Sequence, residues 1–191
     1  MPRELEVLFN SKTIPKILNL FFRNEQQSFE VKEVAKRCQI HPRIAKKELE
    51  KLRRINLFQR KKEKNKYFYL LNPKFSFLNE LRTIIVHSSP LSLKELTSIL
   101  KKIRGIKLAV VSGIFLKGKR PSGADLLIVG DRIQKSKVSR AIKRIESQMG
   151  KEINWCLMTT EEFKYRTEMN DKFLRDIFDF AHRKIIDKLN I

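Results

Sequence analysis

The side chains best suited to chemistry in this chain are cations, and they concentrate between His41 and Leu71, HPRIAKKELEKLRRINLFQRKKEKNKYFYLL. Ile44, Ala45, Leu49, Leu52 and Ile55 recur there at three- and four-residue steps, which predicts a helix with one apolar stripe for a core. Arg43, Lys46, Lys47, Arg53 and Arg54 fall on the other face. After Asn56 the period changes. Leu57-Phe58 and Tyr67-Phe68-Tyr69-Leu70 read as strands, with Arg60, Lys61, Lys62, Glu63, Lys64, Asn65 and Lys66 as the cationic tip of a hairpin between them. A helix with outward cations beside a flexible cationic loop can engage the groove and the phosphates of a duplex together. A Lys-rich helix and loop can also be a solvated face, and the upstream sequence decides between these readings.

Ser11 is a good N-cap for a helix over residues 11–23, SKTIPKILNLFFR, whose stripe is Ile14, Ile17, Leu18, Phe21 and Phe22. Pro15 falls where an early helical position tolerates it. Before it, Leu5 to Phe9 reads as a strand or an apolar arm. A second helix turns Val31, Val34 and Ala35 inward, residues 39–42 make a short turn, and Pro42 suits the first position of the next helix. Helix, short turn, helix and basic hairpin is the order of a winged helix-turn-helix. The stretch VKEVAKRCQIHPRIAKKELEKLRRINLFQR resembles the core of ArsR-like and MarR-like transcriptional regulators, and the resemblance covers roughly residues 1–72. It implies that the helix from Pro42 enters the major groove, with Arg43, Lys46 and Lys47 meeting base edges or flanking phosphates. Arg53 and Arg54 would then meet the backbone, and Lys61, Lys62, Lys64 and Lys66 the neighbouring backbone or minor groove. Only Arg makes the bidentate contact of guanine readout, so one Arg among the base readers implies modest sequence specificity.

Residues 73–90 read as a linker in which Phe75 to His87 forms a helix with Leu78, Leu81, Ile84 and Ile85 on one side, either a connector or a dimerisation helix. Residues 91–191 read as a small α/β domain. Ser92 caps a helix ended by Gly105, and Ile106 to Val111, Ala124 to Val129 and Ile153 to Met158 are apolar enough for buried strands. Lys135 to Met149 is a helix, Thr159 opens another, Asp171 to Phe180 is helical, and Lys184 to Leu189 is a final strand or short helix. The overall expectation is an α+β chain.

Within the second domain, VVSGIFLKGKRPSGADLLIVGD over residues 110–131 resembles the minimal nucleotidyltransferases of the polymerase-beta superfamily. That resemblance implies a vestigial nucleotide-binding set in which Gly113 and Gly118 match the two glycines, Ser122 the serine before the carboxylates and Asp125 the second carboxylate. The family's chemistry holds two magnesium ions on paired carboxylates, because hard cations take oxygen ligands and must bridge the attacking and leaving oxygens. Here Ile114 stands in place of the phosphate-gripping serine and Gly123 in place of the first carboxylate. On the later strand Asn154 is a poor magnesium ligand, and Glu152 serves only in a shifted register. The expectation is a pseudoenzyme with no catalytic residues, no metal and no cofactor. Lys117, Lys119 and Arg120 make the loop between the first two strands cationic. His41, His87 and His182 are scattered and form no nucleophile–base set.

With 191 residues and 41% hydrophobic content, the chain can build one large or two small cores. Its net charge of +21 points to a polyanionic partner. The charge is shared: residues 1–72 hold 18 Lys and Arg against 8 Asp and Glu, and the rest 24 against 13. Cys38 and Cys156 have no disulfide or zinc spacing and read as reduced thiols. No apolar run approaches the roughly 20 residues of a membrane helix, so a cytoplasmic protein without a membrane partner is expected. The expected partner is duplex DNA, with a second copy of the chain, and a nucleotide or protein ligand at the C-terminal domain, as further candidates. Transcription regulation is the expected role; an active metal-dependent nucleotidyltransferase and an RNA-binding or assembly module are the alternatives.

Overall fold

The structure is a computed structural model that describes residues 3–88, 91–116 and 123–191. Gly118, Ser122 and the loop cations Lys117, Lys119 and Arg120 lie outside the described residues. The chain is an α+β protein whose contacts divide into a first unit, Met1–Leu91 with Lys143–Glu152, and a second, Ser92–Ile142 with Ile153–Ile191.

The first unit opens with α1 (Arg3–Leu8) and α2 (Ile14–Phe22). The segment from Leu5 is therefore a helix, and neither a strand nor an arm. The reason is visible in its packing: Leu5 and Phe9, four apart, meet the core, while Val7, which strand alternation would place beside them, is 73% exposed. Ser11 secures the start of α2, its Oγ accepting from the backbone of Thr13 and Ile14, both at 3.1 Å.

Next come β1 (Phe29–Glu30), α3 (Val31–Cys38) and α4 (Pro42–Arg54), then β2 (Phe58–Glu63), β3 (Lys66–Leu71) and α5 (Leu78–His87). The strands form an antiparallel sheet in the order β1-β3-β2. At the core's centre Phe21 meets Phe29 edge-on at 5.2 Å and Phe58 at 4.4 Å, surrounded by Ile17, Leu18, Val34, Ala45, Leu49 and Tyr69.

Three expectations need correction. The stripe of α4 buries Ala45, Leu49 and Leu52 but leaves Ile44 45% and Ile55 56% exposed. Ile44 lies about 100° round the helix from Ala45, at the edge of the core face, and Ile55 is past the last residue of α4, where the chain leaves the helix. On α5, Ile85 is buried and Ile84 is exposed. The hairpin has no long flexible tip. Its strands run to Glu63 and from Lys66, closed by Lys64 and Asn65, whose φ values of 44° and 62° give the left-handed pair that suits the twist of a two-residue hairpin. Arg60, Lys61 and Lys62 are thus strand residues.

In the second unit, α6 (Leu93–Lys101) starts on a full capping box between Ser92 and Glu95. It leads into β4 (Ile106–Ser112), a short 3-10 turn (Gly113–Phe115) and β5 (Leu126–Gly130). Then follow α7 (Lys135–Met149), whose residues from Lys143 on belong to the first unit, β6 (Trp155–Met158), α8 (Thr160–Glu168), α9 (Lys172–Phe178) and β7 (His182–Asp187). The sheet order is β6-β5-β4-β7, with β4 antiparallel to both neighbours and β5 parallel to β6. Every residue of β5 is buried, as a strand with neighbours on both edges and both faces requires.

Several elements turn on left-handed asparagines, among them Asn56 after α4, Asn65 in the hairpin and Asn170 after α8. In the first unit Gly150, at φ +68°, sits so close that a Cβ would come within 2.6 Å of the Asn19 carbonyl oxygen. The buried Asn19 side chain in turn donates to the Gln148 carbonyl at 2.5 Å. Among the described residues no helix is long and apolar enough to cross a membrane.

Phe21 touches two aromatic rings in a closed core, so Phe21→Ala should cost about 3–5 kcal/mol. Urea unfolding of the first unit is the measurement, and a midpoint equal to wild type would refute this picture of the core.

Candidate nucleic-acid interface

The short turn between α3 and α4 is set by Gln39, whose left-handed φ of 52° ends α3, and by the Ile40 amide donating to the Ala35 carbonyl at 3.0 Å. Pro42 then opens α4, and His41 Nδ1 accepts from the Arg43 amide at 3.2 Å. With Ala45, Leu49 and Leu52 inward, a turn of about 100° per residue puts Arg43, Lys47 and Arg54 on the opposite side of the helix. Lys46 and Arg53 flank that line on the side where Glu50 meets the hairpin.

Glu50 joins helix to hairpin. Arg53 Nε donates to its Oε2 at 2.8 Å. Its Oε1 accepts from Arg60 at 3.3 Å and from the Tyr69 hydroxyl. Arg60 also lies over the Tyr67 ring, 4.3 Å from its centroid. The Tyr69 hydrogen bond, aided by Arg53 and Arg60, holds the Glu50 carboxyl below its ordinary range. Burial, together with Glu50, pushes the Tyr69 phenol up.

Strand register sorts the hairpin's side chains. Arg60 pairs with Tyr69 and Lys62 with Tyr67, so these four share the face of β2 and β3 that turns toward Glu50; Lys61 and Lys66 are on the other face. Of the expected contacts, Arg43, Lys46, Lys47, Arg54, Lys61, Lys62 and Lys64 are exposed and form no ion pair with a described residue. Arg53 and Arg60 are engaged by Glu50, and Lys66 pairs with Glu30 at 3.3 Å. Three further residues belong to this surface. Lys51 is exposed on α4, four residues beyond Lys47, a step readable in the sequence. Tyr67, 47% exposed, and Glu50 announced nothing, because their roles depend on residues across the hairpin.

In the second unit the structure brings Gly113 and Asp125 together at one end of the sheet. Asp125 is buried; its Oδ1 accepts from the Ile114 amide and its Oδ2 from the Asn154 amide, each at 3.0 Å. Gly113 has φ +52°, and a Cβ there would stand 2.3 Å from Asp125 Oδ1. The carboxylate therefore ties the turn after β4 to the approach of β6. Asn154 is exposed, while Glu152 pairs with Arg37 at 3.2 Å. Cys38 is buried, which pushes its thiol up to about 12, and Cys156 is half-buried.

No protein-family model matches the chain, and no curated protein or solved structure matches it either.

Two predictions test these assignments. Because Glu50 is held low in the folded state, its contribution is complete above its ordinary value and lost as pH falls through the lowered one. Glu50→Gln should therefore cost about 1–2 kcal/mol at neutral pH, with the gap to wild type closing on acidification. Urea midpoints at several pH values measure this; a gap that does not change with pH would remove the carboxylate from the cluster. Asp125→Asn turns an NH2 group toward a backbone donor and should cost about 1–3 kcal/mol. An unchanged thermal midpoint would show that the carboxylate does not hold the turn.

Proposed function

We propose that this protein is a DNA-binding transcriptional regulator of the cytoplasm. In this reading residues 1–72 act as a winged helix that lays α4 in the major groove and the β2–β3 hairpin, its wing, along the neighbouring backbone. The observation that carries it is the unpaired cationic line Arg43, Lys47 and Arg54 on the side of α4 away from the core, beside a hairpin bearing Lys61, Lys62 and Lys64. Arg43, in the first turn, is the candidate for bidentate guanine contact; the lysines neutralise phosphates. Exposed Ile44 beside it suits the thymine methyl group.

The second unit is proposed as an inactive relative of the minimal nucleotidyltransferases that serves in sensing, dimerisation or partner contact. This rests on the resemblance of residues 110–131, on Gly123 and Asn154 where that family places carboxylates, and on the structural employment of Asp125.

The test is fluorescence anisotropy of a labelled duplex across a salt series, with RNA of equal length as competitor. Arg43→Ala/Lys47→Ala should weaken binding at least about tenfold and reduce the salt slope by roughly 0.9 for each phosphate contact removed. Wild-type affinity in this variant, or preference for the RNA, would overturn the reading.

A further inference from the structure

The second unit carries a cationic surface of its own, at the end of its sheet opposite Gly113 and Asp125. There β4 begins and β5, β6 and β7 finish, as the pairing of Ile106 with Gly130 and of Leu108 with Asp187 requires. Backbone contacts hold the chain segments together at this end. The Asp131 amide donates to the Gly105 carbonyl at 3.2 Å, and the Lys188 amide to the Lys107 carbonyl at 2.8 Å. A Cβ on Gly130 would fall 2.0 Å from the Gly105 carbonyl oxygen, so the two loops lie backbone to backbone.

This junction gathers Lys101 and Lys102 from the end of α6, Arg104 before β4, Arg132 after β5, Lys135 at the start of α7 and Lys188 after β7, all exposed. The nearby acids are largely spoken for. Asp131 takes Lys107 at 2.8 Å and both the amide and the hydroxyl of Thr160. Asp187 accepts from the amides of Leu189 and Asn190 and lies 3.7 Å from Lys184. Glu161, exposed in the first turn of α8, forms no ion pair with a described residue here, against six cations.

We infer that this end of the second unit is a further nucleic-acid contact, binding the phosphate backbone of DNA without reading its bases. Cations drawn from three chain segments suit an extended polyanion with repeating phosphates. A lipid surface fits less well, because the apolar side chains Ile103 and Ile106 among these cations are buried and unavailable for insertion. Only the choice of nucleic acid as the polyanion rests on the function proposed above.

The experiment uses the full chain and a long labelled duplex across a salt series. It compares wild type, the α4 variant Arg43→Ala/Lys47→Ala, and Lys101→Ala/Lys102→Ala/Arg104→Ala/Lys188→Ala. A second junction variant, Arg132→Ala/Lys135→Ala, gives an independent reading should the first fail to fold, as judged by circular dichroism. The expected result is a loss of about tenfold or more in affinity for the fourfold variant. Its salt slope should shrink by roughly 0.9 per contact, about 3 to 4 in all. If both junction variants bind as wild type while the α4 variant is weakened, this inference is overturned and the winged-helix reading stands. If the junction variants are weakened and the α4 variant is not, the inference stands and that reading falls. Flotation with phosphatidylserine vesicles completes the test: loss of vesicle binding with DNA affinity intact would make the surface a membrane contact and overturn the inference.

Discussion

One carboxylate sets the geometry of the cationic surface in the first unit. Arg53 on α4 and Arg60 on the hairpin would repel each other and drive the two elements apart; Glu50 accepts from both and from Tyr69 as well. The interaction is half-exposed, so its Coulomb part is modest. Its geometric effect is larger, because three donors from two elements converge on one group and fix the angle between them. Like charges supply no attraction of their own, so it is the carboxylate that draws the two arginines together. Arg53 and Arg60 are thereby committed to structure, whereas Arg43, Lys47, Arg54, Lys61, Lys62 and Lys64 form no ion pair with a described residue.

The second unit uses the same device for a different end. Asp125 is placed where a resemblance to nucleotidyltransferases puts a metal ligand, yet both of its oxygens accept backbone amides, from Ile114 and from Asn154. Asp131, at the other end of β5, holds Thr160 and Lys107. A strand with no polar side chain of its own is thus bracketed by two carboxylates that fasten its ends to neighbouring segments. In each case the acid meets partners far along the chain, so its role was invisible to spacing.

Much of the fold was legible because its signals are local. Pro42, Ser92 with Glu95, and Thr159 mark helix starts by satisfying or dispensing with the first amides, and Lys135 to Met149 declares its helix by period alone. The misreadings share a cause in distant contacts. Leu5 to Phe9 is too short for its period to separate strand from helix until the core chooses Leu5 and Phe9. The outer half of β2 is all charge, with no intrinsic preference for a strand; it is extended because Tyr67 and Tyr69 across the hairpin hold it so. At the candidate site the cations themselves could be read from sequence, but which ones are free could not, because Glu50 on α4 engages Arg60 of the hairpin and Glu30 engages Lys66, both through the fold.

The reliance on asparagine at left-handed positions has a consequence for the chain before it folds. The sequence contains 6 glycines in 191 residues, and Asn56, Asn65 and Asn170 take up conformations that proteins commonly give to glycine. Asparagine restricts the unfolded ensemble more than glycine does, so each such turn surrenders less disorder on closing. A polycation of +21 already resists compaction through its own repulsion. Its collapse therefore starts from a chain with less conformational freedom at these turns than glycine would give it.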